Sequence, residues 1–407
     1  MRNLRTFSSL KNPVYRLYYG GMLGQMAAMN MQMVTRSLLT YRLTGSATIL
    51  GTLALAHAIP MTFLSLFGGV LADRLEKKYV LLVGQTISAV VSLAIAFALT
   101  IGYLSVGRAG SWWILIAASA IHGIVMGLMM PSRQALIAEI VPAEQLMNAV
   151  ALNTLGMNIL RFITPALAGF LIDAYSFQAA YYAMTGMYLV AVFFISFLPL
   201  TGTKSVQGQS VLTDIKDSLR YVWNDRTILI ILGFTLLLVV LSRPYQFLLP
   251  IFTDDILKVG ATGLGVLMSV SGIGAMIGSV LLASLPNKKR GIMLAISGLI
   301  LGLTLVSFSF SETWFLSLAM IAFVGFGDTG RVTMANTLIQ YYVKADYRGR
   351  VMSLLMMEFG IMSFGVFFTG LLADAIGVQW SVGGLAIGLA VISVLALAFI
   401  GRIRKLD

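Results

Sequence analysis

Apolar residues along this chain come in long unbroken runs, with no alternation. Twelve runs stand out, at about 15–41, 47–72, 79–103, 111–132, 145–172, 177–199, 227–251, 261–285, 291–310, 313–340, 350–374 and 380–401. Each approaches the roughly 20 residues that an α-helix needs to cross a bilayer. None has the period-2 pattern of an outer-membrane barrel strand. The pattern predicts an all-α membrane protein with twelve transmembrane helices. The leading segment, MRNLRTFSSLKNPVYRL, has no apolar core before the first run, so that run is expected to stay as a mature helix rather than a cleaved signal.

The longest polar stretch, 200–226, divides the runs into six and six. It opens as a Gly/Ser-containing linker, TGTKSVQGQS. It continues with Leu212, Ile215, Leu219 and Trp223 near helical spacing, which reads either as an amphipathic helix on the membrane surface or as a plain helical linker. The expected organisation is an N-terminal six-helix bundle at 1–199, a cytoplasmic linker at 200–226 and a C-terminal six-helix bundle at 227–407. The halves also resemble each other. GGVLADRLEKK at 68–78 aligns with SVLLASLPNKK at 279–289, and PALAGFLIDAYS at 165–176 aligns with the 368–377 region, pairing Gly169 with Gly370 and Asp173 with Asp374. Whole-bundle repeats of this kind are common in secondary transporters, with the substrate at the repeat interface.

Composition agrees with the spans. The chain is 58% hydrophobic and only 11% charged, against about 25% charged in soluble domains. The net charge of +12 could suggest nucleic acid, but its placement argues for topology. Of the 28 basic residues, 21 fall on one side of the spans, only Arg42, Arg108 and Lys258 on the other, and four inside. That positive-inside bias places both termini in the cytoplasm, with anionic lipid as a natural contact. There are no cysteines, which excludes disulfides and thiolate metal sites.

The polar residues inside spans carry the chemistry. Arg36, Arg161, Arg243, Arg331, Asp328 and Glu358 would together cost on the order of 15–20 kcal/mol if each faced lipid, so they must face one another or water. Helical spacing supports this. Gln25, Gln32 and Arg36 share a face of the first span, Thr154, Asn158 and Arg161 a face of the fifth, and Asp328 and Arg331 are i, i+3 neighbours. By depth, Asp328, Glu358 and Arg331 can form one buried cluster, read either as a proton-exchange site or as a permanent ion pair. His57 and His122 receive no role, since single buried histidines are as often packing residues. Met22, Met26, Met29 and Met33 form a stripe that suits helix packing or an adaptable apolar pocket. Gly274 and Gly278 mark close helix packing. No metal, nucleotide or hydrolase motif is present, and the chain does not read as an enzyme.

On its motifs the chain resembles transporters of the major facilitator superfamily. GGVLADRLEKK resembles the signature Gly-x-Leu-Ala-Asp-Arg-x-Gly-Arg-Lys between the second and third helices, with Asp73, Arg74, Lys77 and Lys78 matching and Glu76 where glycine is usual. TPALAG at 164–169 resembles the fifth-helix antiporter motif through Pro165 and Gly169, with Thr164 and Ala168 departing from it. YRLTGSATILG, PSRQALIAEIVP, LNTLGMNILR, FLLPIF and RGRVMSLL resemble the twelve-helix drug and siderophore exporters.

The resemblance implies two six-helix bundles related by a pseudo-two-fold axis, alternating access, a bacterial inner membrane and a monomer among membrane lipids. It implies a cytoplasmic latch of Asp73 and Arg74 with the region of Arg348. It also implies a substrate cavity reached by Gln25, Gln32, Arg36, Asn158, Arg161, Arg243 and Arg331, with proton coupling through Asp328 and Glu358. The expected function is proton-coupled export of amphiphilic organic compounds of drug or siderophore type, anionic or zwitterionic given the excess of in-span arginine. No cofactor beyond a proton gradient and no nucleic acid is expected. A lipid or lysophospholipid translocator of the same fold, or a transporter-fold receptor or scaffold, are the alternatives.

Overall fold

The computed structural model describes residues 7–406 apart from 107, 109, 202–219, 286, 287, 345, 346, 348–350, 353, 354, 356, 400 and 405; the side chains at 66, 69–73, 359, 402 and 403 also lie outside the description. The described residues form helices α1 (Pro13–Thr44), α2 (Ala47–Arg74), α3 (Lys77–Thr100), α4 (Trp113–Ile140), α5 (Ala143–Ala174) and α6 (Phe177–Ser196), then α7 (Arg226–Ser242), α8 (Pro244–Ile251), α9 (Gly260–Ser284), α10 (Arg290–Ser309), α11 (Trp314–Tyr342), α12 (Glu358–Ile376) and α13 (Val378–Phe399). Among the described residues, ten segments are long and apolar enough to cross a membrane. Of the remaining expected spans, α1 is long but carries the polar stripe, and the apolar stretch of α12, Gly360–Ile376, is shorter. The seventh span, expected to be continuous, is broken at Arg243 because Pro244 has no N–H for the next helical bond, and it ends in a π-helical turn at Phe252–Ile256.

Local chemistry sets the helix ends. The Asn12 side chain accepts from the N–H groups of Val14 and Tyr15, Pro13 sits at the first helical position, and α1 stops at Gly45, whose φ of 62° is left-handed. Asp225 caps α7 by accepting from Thr227 and Ile228. At the basic corner, Glu76 has φ −58° and ψ 119°, so the turn needs no left-handed residue and tolerates glutamate in place of glycine. Its carboxylate accepts from the Thr201 N–H at 3.3 Å. Beside it Lys77 is buried and pairs with Glu139 of α4 at 2.9 Å.

The helices form two compact units, whose boundaries differ from the expected 1–199 and 227–407. Residues 1–45, 56–207 and 260–269 form one unit, and 46–55, 208–259 and 270–407 the other. The first nine residues of α2 and the first ten of α9 therefore belong with the opposite half of the chain. In the first unit α6 packs on α1 and α3, and α3 on α4; in the second α13 packs on α7 and α10, and α10 on α11. The recurrence supports the internal repeat. Glycines on matched helices make the close approaches. A Cβ at Gly127 would strike the Met61 carbonyl of α2, and one at Gly274 would strike the Ala322 carbonyl of α11.

Candidate functional site

In the second unit, the break between α7 and α8 turns Arg243 toward α11. There Asp328 Oδ2 meets Arg243 Nη2 at 2.9 Å, while Oδ1 accepts from Arg331 Nη2 at 2.9 Å and Nε at 3.2 Å. Arg243 also donates from Nη1 to Gln246 Oε1 at 3.0 Å. The i, i+3 spacing supplied the Asp328–Arg331 pair. The cross-helix Arg243–Asp328 pair was not legible, because nothing local joins two residues on separate spans. A carboxylate held by two guanidinia is charge-compensated.

Glu358, at the start of α12, does not join this triad. It makes no ion pair with any described residue, and its Oε1 is buried without a hydrogen-bond partner. Arg331 and Arg243 act on it only at a distance. It lines a cleft with Thr235, Val239, Arg243, Arg331 and Asn336 that has about 100 Å³ of room for the centres of water molecules. At about 10–15 Å³ per water centre this admits several waters. Asn336 Oδ1, in the same cleft, is also a buried acceptor without a donor. The expected single cluster of both carboxylates thus resolves into a fixed triad and a free acid facing water. Counting charges, the four groups are neutral with Glu358 ionised and carry +1 with it protonated.

The first unit gathers a different set. Tyr188 donates to Gln32 Oε1 at 2.9 Å, and His122 Nε2 lies 3.2 Å from the Tyr188 hydroxyl. The rings of His57 and His122 stack with centroids 5.4 Å apart. Gly123 permits this, since a Cβ there would strike the His57 carbonyl. Arg36 acts electrostatically on both imidazoles and on Tyr181 and Tyr188. Gln25 shares the buried stripe but lies two turns away, its amide against the Met29 sulfur. Asn158 and Arg161, expected in the cavity set, lie with Thr154 on an exposed face of α5. Arg133, assigned to a loop by the sequence, is inside α4 and buried, with Nη2 against the sulfurs of Met26 and Met157. Met22 and Met26 accordingly belong to the packed core.

The two matched carboxylates of the repeat have matched roles. Asp173, ending α5, accepts from the N–H groups of Ala261 and Thr262 at the start of α9. Asp374, ending α12, accepts from Ala47 N–H, Thr48 N–H and Ser46 Oγ–H at the start of α2. Gly169 and Gly370, four residues earlier, allow these approaches, since a Cβ at either would meet the backbone of Ala261 or Ala47. Pro165 joins the same seam through its carbonyl, against Gly265. The spacing Gly-x-x-x-Asp in both halves was the available signal. Of the basic-corner latch, Arg74 is exposed at the end of α2, and the Asp73 side chain and Arg348 lie outside the described residues.

A family description of the Major Facilitator Superfamily matches residues 19–365. The chain belongs to the Major Facilitator Superfamily. It is a multi-pass integral membrane protein of a transporter family. It is 25% identical over 369 residues to the Staphyloferrin A transporter of Staphylococcus aureus, covering 89% of this chain and 88% of that one. It is 24% identical to the Multidrug efflux pump Tap of Mycolicibacterium fortuitum, covering 89% and 90%. It is 23% identical to Macrolide efflux protein A of Streptococcus pyogenes, covering 99% and 100%. A crystal structure of a peptide transporter POT matches with a TM-score of 0.75 at 14% identity, over 97% of this chain and 95% of that one, a likeness of fold alone.

Proposed function

We propose that this member of the superfamily exports amphiphilic organic molecules in exchange for protons, with Glu358 as the proton-carrying group and Asp328 as the fixed counter-ion of Arg243 and Arg331. The observation that carries the reading is the Glu358 carboxylate, buried at Oε1, without an ion pair among the described residues and facing a water-admitting cleft. A carboxylate in that position can change protonation without breaking an ion pair, and each change alters the charge of the cleft by one. The relatives named as a multidrug efflux pump and a macrolide efflux protein support the export direction. The excess of in-span arginine supports anionic or zwitterionic cargo. The charge bias sets the termini in the cytoplasm, and alternating access supplies the cycle.

The test uses the full chain in liposomes loaded with a pH-reporting dye, challenged with lipophilic acids, zwitterions and cations. Acids or zwitterions should drive proton movement through the wild type. Glu358→Gln should retain substrate exchange and lose the proton movement. Substrate-driven proton movement that persists in Glu358→Gln refutes the assignment, and robust transport of lipophilic cations alone refutes the cargo class.

A further inference from the structure

The second unit compensates Arg243 and Arg331 with Asp328; in the first unit no described acid pairs with Arg36. Its acids, Asp73, Glu76, Glu139, Glu144 and Asp173, all stand at or next to helix ends, whereas Arg36 is eight residues inside α1. Glu139 is held by Lys77 and Asp173 by the start of α9. Within the set of groups that interact electrostatically with Arg36, three buried polar atoms lack hydrogen-bond partners among the described residues, namely Arg36 Nη1, the Tyr181 hydroxyl oxygen and His122 Nδ1. Tyr181 is 0% exposed and His122 7%.

Buried polar groups are normally satisfied, and a buried guanidinium is normally paired. The two open donors, on Arg36 and Tyr181, therefore mark a place for a partner; His122 Nδ1, with the proton on Nε2, is itself an acceptor and adds no donor. Its chemistry follows from the donors: a guanidinium N–H and a phenol O–H both require an acceptor, and the positive charge requires an anion. The surroundings are preorganised. With the Tyr188 proton committed to Gln32, His122 donates to Tyr188 from Nε2, which locks both rings. Arg36 is half-buried as a residue, so its side chain retains partial access. Arg133 also has an unpaired Nη1, but its Nη2 lies against the Met26 and Met157 sulfurs, and the hydroxyl beside it, Tyr18, donates to the Arg133 carbonyl, so no free donor joins the guanidinium there.

We infer that Arg36 and Tyr181, braced by Gln32, Tyr188, His57 and His122, form a carboxylate-binding subsite in the first unit that receives the anionic end of an amphiphilic ligand. This rests on the transport reading only for the ligand's role as cargo. Binding is measured without a gradient, so its failure is distinct from a failure of proton coupling.

The probe is 1-naphthoate, with 1-naphthamide as its neutral match and chloride and phosphate as inorganic arms, titrated against the purified full chain by thermal unfolding in detergent. Naphthoate should raise the unfolding midpoint saturably and naphthamide should not. Arg36→Gln should weaken naphthoate at least tenfold, and Tyr181→Phe three- to tenfold. Tyr181→Phe removes only an unsatisfied hydroxyl, so the empty protein should unfold no earlier than wild type, which separates lost binding from misfolding. Arg16→Gln, exposed in the first turn of α1, should bind as wild type does. Equal effects of naphthoate and naphthamide overturn the proposal, as does unchanged affinity in both Arg36→Gln and Tyr181→Phe. Saturation by chloride or phosphate with no further effect of naphthoate overturns it in favour of an inorganic ion.

Discussion

Asp328 and Glu358 are both acids in apolar spans, and their neutral isosteres should have opposite consequences for stability. Asp328→Asn leaves Arg243 and Arg331, each with Nη2 at 2.9 Å from the same carboxylate, without an anion between them. Removing one partner of a buried pair costs about 3–5 kcal/mol. The Asp328 and Arg243 side chains are 18% and 20% exposed, so water relieves part of this and the low end, about 3 kcal/mol, applies. Glu358→Gln breaks no ion pair and removes a charge whose Oε1 has no partner; it should stay within about 1 kcal/mol of wild type or stabilise. Reversible unfolding in mixed detergent–SDS micelles measures both. A cycle combining Asp328→Asn with Arg331→Gln should show a coupling of at least about 1 kcal/mol. If Asp328→Asn shifts stability by less than about 0.5 kcal/mol, or Glu358→Gln costs as much as Asp328→Asn, the division into a fixed triad and a free acid is wrong.

Asp374→Asn should weaken the cap on the first turn of α2 by about 1 kcal/mol, the usual scale for a helix cap. Hydrogen exchange at Ala47 and Thr48 should then quicken about fivefold, while unchanged exchange there would remove Asp374 from that role. Gly169→Val should destabilise by about 1–3 kcal/mol or more, because its side chain must displace the Ala261 backbone. Gly186→Ala, with nothing within 4 Å of the added carbon, should be neutral or slightly stabilising in the same unfolding assay; equal losses would mean that the α5–α9 seam is not tight.

The helices and their order were legible in the sequence because a membrane span is a local property: about twenty apolar residues suffice, whatever surrounds them. The repeat was legible through the paired glycines and aspartates, and the Asp328–Arg331 contact through spacing on a single helix. Contacts between helices were not legible. In lipid the apolar face toward the bilayer and the apolar face toward the protein look alike, so composition cannot say which faces meet. That is why Arg133, the residue after the fourth apolar run, was placed outside the span although it lies buried inside α4 against Met26 and Met157. It is also why His57 and His122 had no role until Gly123 brought α4 against α2. The sequence alone determined that this chain crosses the membrane many times in two related halves and carries unaffordable charge inside. Tertiary structure decided which charges are compensated among the described residues: Arg243 and Arg331 share Asp328, Glu358 faces a cleft that admits water, and no acid pairs with Arg36. Long-range packing set by small residues, which local periodicity does not encode, makes that assignment.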